Sequence, residues 1–129
     1  NGGMRQNHKD LMTTFPMLEE RQSIRAGLLS GGERQALAVA MVLLRPVQLL
    51  LLDEPVAGLS QKNAAQLLEC ISSLQKKTGF AFVLIEHRLK LIRPHVSRVV
   101  LMVRGKISED TLETGILEDR VRLEKHYLL

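Results

Sequence analysis

The sequence predicts an α/β fold with a mainly parallel sheet and flanking helices. Three stretches carry that reading. Residues 49–52 are an unbroken leucine run that ends in Asp53-Glu54-Pro55. Residues 80–85 are a second apolar run, ending in Glu86-His87-Arg88. Between them, Ala64, Leu67, Leu68, Ile71 and Leu74 recur at helical spacing over residues 61–77, giving one core-facing stripe. Strand, helix and strand in this order make a right-handed βαβ unit. Short apolar runs bounded by breakers are expected to be buried on both faces of a parallel sheet.

The first strand brings Asp53 and Glu54 to its carboxyl end, the edge where open α/β sheets bind ligands. Adjacent carboxylates are costly to bury unless a metal ion or a proton to be moved uses them. The second strand brings His87 to the same edge. A lone histidine at a strand end is more often structural. Beside two carboxylates on a ligand edge it becomes a functional candidate.

Upstream, Leu29-Ser30-Gly31-Gly32-Glu33-Arg34-Gln35 precedes an apolar stretch, residues 36–44. That stretch is apolar on every side and is expected to be a buried helix. Ser30 is a natural N-cap, and Glu33 three residues on completes a capping box. Gly31 and Gly32 let a backbone approach from outside, so free N–H groups and the positive helix end form an anion site. A well-capped helix with no ligand accounts for the capping residues equally well. Arg45-Pro46 ends this helix. Ser60 caps the helix that starts at residue 61, and Gly79 terminates it.

The flanks carry less. A short helix is expected after Pro16, around residues 18–21, and Gly2-Gly3 reads as a loose end. Residues 89–92 read as a short helix stopped by Pro94, and residues 98–103 as another strand. Gly105-Lys106 is a turn, with Ile107 opening a short return strand. Residues 111–117 and 121–129 are expected to be two short helices forming a partly exposed cap.

Bulk properties bound the rest. The chain has 129 residues, enough for one modest core. Net charge is +4, but Lys and Arg are scattered, which reads as a solvated surface and not a nucleic-acid patch. Aromatics make up 3% with no Trp, which excludes a stacking platform for single strands. The single cysteine, Cys70, excludes an internal disulfide and falls on the apolar stripe as a small core residue. It fits a reducing, cytoplasmic compartment. The apolar stretch 36–52 is interrupted by Arg45-Pro46 and Gln48, so it reads as helix, turn and strand and not as a membrane span. The chain starts at Asn1 without Met, which points to a fragment.

Four motifs in order, between Leu29 and His87, resemble those of ABC-type ATPases. They are the signature Leu29-Ser30-Gly31-Gly32-Glu33-Arg34-Gln35, a Walker B strand ending in Asp53-Glu54, a D-loop-like Ala57-Gly58-Leu59-Ser60, and a switch-histidine segment Ile85-Glu86-His87. Looser similarity, in Gly105-Lys106-Ile107 and His126-Tyr127-Leu128, is to the ATP-binding subunits of branched-chain amino-acid importers. The resemblance implies the C-terminal half of a P-loop NTPase domain. Residues 1–46 would end the helical subdomain, 47–104 would be the Walker B to switch-histidine core, and 105–129 a helical cap.

The resemblance also implies roles. Ser30, Gly31 and Gly32 would meet, in trans, the γ-phosphate of a nucleotide held by a second ATPase domain. Asp53 would support Mg²⁺, Glu54 would be the general base, and His87 would contact the γ-phosphate. ATP and Mg²⁺ would be the cofactors of the complete domain. Transmembrane permease subunits would be partners, with the chain cytoplasmic and peripheral to the inner membrane. The Gly-rich loop ending Gly-Lys-Ser/Thr has no match in the sequence. The expectation is therefore a half-domain that is inactive and binds no cofactor alone. It would need a complementing half, or else act as a non-catalytic oligomeric or partner-binding module. An unpaired sheet edge and uncovered apolar faces favour a homo-oligomer. A nucleic-acid-associated ATPase is disfavoured, because no coiled-coil heptads flank the signature. Three positions depart from the family's usual Asp: Ser60, Arg88 and Ser97.

Overall fold

A computed structural model describes residues 8–127; Gly2-Gly3 and Leu128, singled out above, lie outside them. The chain divides into two compact units, Asn1–Glu86 and His87–Leu129.

The first unit opens with helices α1 (His8–Thr14) and α2 (Pro16–Glu19), the latter led by its proline. A single 3₁₀ turn, Ala26–Leu28, leads to α3 (Gly31–Leu43), β1 (Leu49–Asp53), α4 (Gln61–Thr78) and β2 (Ala81–Ile85). Strands β1 and β2 pair in parallel, with Leu50 opposite Phe82 and Asp53 opposite Ile85. The β1–α4–β2 unit is the one the two apolar runs and the helical stripe predict. Ser60 accepts the Asn63 N–H at 3.2 Å and caps α4. Gly79 closes α4 at φ +78°, a left-handed position that suits glycine. All five stripe residues of α4 are buried, as is Cys70. Burial pushes the Cys70 thiol up to about 11, so it stays protonated and inert at neutral pH. Leu11 and Leu18 from the first two helices join the core with Phe15 between them, which is fully enclosed.

Two sequence expectations fail in the same way. Strands β1 and β2 are not buried on both faces. Leu50 is enclosed and Leu52, Phe82 and Leu84 are half-buried, but the opposite face stays open, with Leu49 53%, Leu51 69%, Val83 51% and Ile85 60% exposed. Helix α3 is likewise not buried all round. Ala36, Val39, Ala40 and Leu43 face the core, while Met41 and Val42 are exposed, as is the cap residue Leu44. An unbroken apolar run shows that a segment can be covered on two sides. It does not show that the covering surface is at hand.

The second unit holds α5 (Leu89–Ile92), continued by a 3₁₀ turn through Pro94, then β3 (Val99–Val103) and β4 (Lys106–Thr111). These strands pair antiparallel around Arg104 and Gly105, with an irregularity between Leu101 and Met102. The expected helix from residue 111 is a 3₁₀ turn, Thr114–Glu118, because Thr111 is still in β4. The final helix is α6 (Arg120–Tyr127). It is fastened to β4 by polar contacts. His126 Nε2 lies 2.6 Å from Glu109 Oε2, and Arg122 bonds both Glu109 and Glu113. Ile92, Val99, Ile116, Leu117 and Leu123 are enclosed apolar residues of this unit.

The exposure pattern predicts a contrast on β1. Leu50→Ala should destabilise by about 2–5 kcal/mol in denaturant unfolding, the usual range for an enclosed leucine. Leu51→Ala should stay within about 0.5 kcal/mol of the parent.

Candidate functional site

Two places on the first unit bring chemistry-bearing residues to the surface. The first is the carboxyl edge of the parallel pair. Asp53 ends β1, and the Glu54 N–H donates to the Ile85 carbonyl at 2.9 Å, carrying the pairing one residue past the strand. Both acids are exposed. Glu54 has φ +46°, in the left-handed region, although it is not glycine and precedes a proline. Such strain persists only where the surroundings impose it. Here the β1–β2 bond lies on one side. On the other are Pro55 and Val56, both enclosed, and a turn in which the Ala57 N–H donates to the Glu54 carbonyl at 3.0 Å. Ala57, Gly58, Leu59 and Ser60 run from there to the start of α4, with Ala57, Gly58 and Ser60 exposed.

Strand β2 ends at Ile85 on the same edge, followed in sequence by Glu86 and then His87, the first residue of the second unit. The parallel register thus places the ends of both strands together, as the βαβ reading requires.

The second place is the start of α3. The capping box read from the sequence is formed in full. The Glu33 N–H donates to Ser30 Oγ at 3.3 Å, and the Ser30 N–H donates to Glu33 Oε2 at 2.7 Å. One partner was not readable from the capping pattern. Arg21, twelve residues earlier, donates through Nε to Glu33 Oε1 at 2.8 Å. Arg34 adds a bond back to the Leu29 carbonyl at 2.5 Å. The Arg21 guanidinium and the Ser30 amide and hydroxyl hold the Glu33 carboxyl down at about 2. Ser30 and Gly31 are exposed, so the turn faces outward and not into its own core. Its geometry suits an anion, with amides at a positive helix end and no side chain at Gly31 or Gly32 in the way.

The donor set at the sheet edge fits Mg²⁺, which binds through one or two carboxylates while keeping waters and substrate phosphates. Among the described residues no group of three or more His, Cys, Asp or Glu could hold a metal by itself. A carboxylate such as Asp53 would thus need further ligands from outside this edge to complete an ion's shell.

Comparison with known proteins bears on the family and the fold. Residues 3–57 match the family model described as ABC transporter. A putative ABC transporter ATP-binding protein of Vibrio vulnificus is 42% identical over 90 residues, 69% of this chain and 16% of that protein. A methionine import ATP-binding protein of Oenococcus oeni is 35% identical over 91 residues, 70% of this chain and 26% of its own. The crystal structure of the ADP conformation of an ATP-binding cassette of an ABC transporter superposes with a TM-score of 0.70 at 25% identity, covering 92% of this chain and 50% of the cassette. A Clostridium perfringens protein, part of the ABC transporter complex cbiONQ, superposes with a TM-score of 0.67 at 20% identity over 95% of this chain and 51% of its own. The fold is therefore that of the P-loop nucleotide-hydrolase class. Within that class the chain belongs to the ABC transporter ATP-binding domains. It spans about half of the solved cassettes and a smaller share of the curated relatives.

The cap and the ion pair make two predictions. Ser30→Ala should cost about 1 kcal/mol of stability, the usual worth of an N-cap. The Glu33 carboxyl sits below its unfolded value of 4.5, so it stabilises above that pH and the contribution is lost as pH falls toward 2. Glu33→Gln should flatten the acid limb of the stability curve between those limits, as read by denaturant midpoints.

Proposed function

We propose that this chain supplies one half of an ATP-hydrolysing cassette of an ABC transporter and works only with a complementing half that grips the phosphates. The open sheet face carries the reading. Leu49, Leu51, Val83 and Ile85 form an apolar patch directly on the strand pair that presents the acids. Such a surface is one a partner covers.

In this reading the outward turn at Ser30, Gly31 and Gly32 meets the γ-phosphate of a nucleotide bound by a second ATPase domain. Asp53 would hold Mg²⁺, which when bound would supply charge neutralisation on the nucleotide's phosphates. Glu54 accepts a proton from the attacking water as the new oxygen–phosphorus bond forms and the bridge to the β-phosphate breaks. His87 keeps the γ-phosphate in line with that water. Ala57, Gly58, Leu59 and Ser60 form the loop through which two such domains sense one another. Ser60, Arg88 and Ser97 stand where the family usually has Asp, which alters loop pinning and leaves the base and metal carboxylate intact.

Assembly with transmembrane permease subunits places the chain at the cytoplasmic side of a membrane as a peripheral component. No helix among the described residues is long and apolar enough to cross one itself. The same open face supports a second reading, a non-catalytic module that pairs with another copy of itself. A monomeric mass by light scattering at high concentration would count against that pairing.

The test is ATP turnover by the chain alone and with an N-terminal cassette half carrying the Gly-rich loop. Turnover should be absent alone and present in the mixture. Glu54→Gln should lower the mixed rate by about 10²–10⁴-fold, as loss of a general base does. Turnover by the chain alone that disappears with Glu54→Gln would contradict the proposal.

A further inference from the structure

We infer that Asn63 is a positioning residue that seats the Ser30–Gly31–Gly32 turn against the start of α4, and that a side chain at position 32 would press on it. The two glycines of the turn differ in what surrounds them. A Cβ placed on Gly32 would lie 3.1 Å from Asn63 Nδ2, closer than side chains ordinarily pack, and 3.4 Å from Asn63 Cβ, an ordinary contact. A Cβ placed on Gly31 would meet nothing within 4 Å. Neither glycine is among the residues at positive φ, so backbone conformation requires glycine at neither position. A side chain at position 32 would therefore press on Asn63 within the chain. Gly31 is constrained only by whatever approaches from outside.

The contact closes a mechanical chain between two helix starts. Ser60 Oγ accepts from the Asn63 N–H at 3.2 Å and so fixes the first turn of α4 at the end of the 57–60 loop. The Asn63 side chain abuts Gly32. Gly32 lies within the turn that Ser30 and Glu33 close on each other. Ser60 and Ser30, the caps of α4 and α3, are thus linked through the contact of Asn63 with Gly32. A shift of the loop moves the outward turn, and a ligand pressing on the turn is felt at the loop. This seating rests on geometry alone; its consequence for ATP turnover rests on the function proposed above.

The test is a pair of double-mutant cycles on the 129-residue chain, Gly32→Ala with Asn63→Ala and Gly31→Ala with Asn63→Ala, read by thermal midpoint and by amide chemical shifts. Gly→Ala in a helix ordinarily stabilises. Gly31→Ala should raise the midpoint by about 2–5 °C, independently of Asn63. Gly32→Ala should fall short of that gain and displace the Asn63 side-chain amide resonances. In the Asn63→Ala background the gain at position 32 should return. Equal and additive effects at the two glycines would overturn the inference.

With the complementing half supplied, Asn63→Ala should reduce turnover roughly tenfold, within the about 10²-fold that a 1 Å misplacement costs. Turnover unchanged by Asn63→Ala would overturn the link to activity. If no mixture turns over ATP, the function proposed above fails, and the midpoints and shifts still decide the seating.

Discussion

The structure depends on the parallel pairing of β1 with β2 across α4. That pairing sets Asp53 opposite Ile85 and draws the Glu54 amide onto the Ile85 carbonyl, so the chain leaves both strands at one edge. Everything chemical in the first unit follows from this register. A slip of one residue would turn Leu50 outward and move the acids to the other face, since side chains alternate along a strand. The helix between the strands secures the register at both ends. Ser60 starts it and Gly79 stops it, and Ala64, Leu67, Leu68, Ile71 and Leu74 are sealed in the core. Glu54 adds the one strained backbone position of the edge, held between the β1–β2 bond and the enclosed Pro55 and Val56.

The same pairing leaves an apolar surface uncovered. Leu49, Leu51, Val83 and Ile85 lie on the face opposite Leu50 and Phe82, and Met41 and Val42 project from α3. At about 25 cal/mol per Å² of apolar area removed from water, such a patch is a large reserve of association free energy. The solved cassettes that share this fold are about twice its extent. An open apolar face and a half-length match are both what the proposed second half, laid against the sheet, would account for.

Much of this was legible in the sequence because the signals are local. The helix stripe, the serine caps, the glycine stop and the two apolar runs each act within one element, and the capping box at Ser30 and Glu33 formed as read. What was not legible depends on residues far apart. The outer faces of β1, β2 and α3 look like buried surface in sequence, since a leucine run carries no record of whether its cover is present. Arg21 reaches Glu33 across twelve residues, and Gly32 meets Asn63 across thirty-one, with no periodic pattern to announce either. Glu54 at positive φ is the opposite of what a residue before proline prefers, and only the surrounding bonds explain it. In the second unit, the fastening of α6 to Glu109 through Arg122 and His126 likewise joins polar side chains that are unremarkable one by one.

The central claim is that the bare face of the strand pair is a seat for the other half of a cassette. Its most direct test is NMR of the chain with labelled Leu and Val methyl groups, titrated with an N-terminal cassette half bearing the Gly-rich loop. The account predicts intermolecular contacts at Leu51 and Val83, with no change at the enclosed Leu67 and Leu74. Binding that leaves Leu51 and Val83 unperturbed, or contacts confined to the second unit, would contradict it.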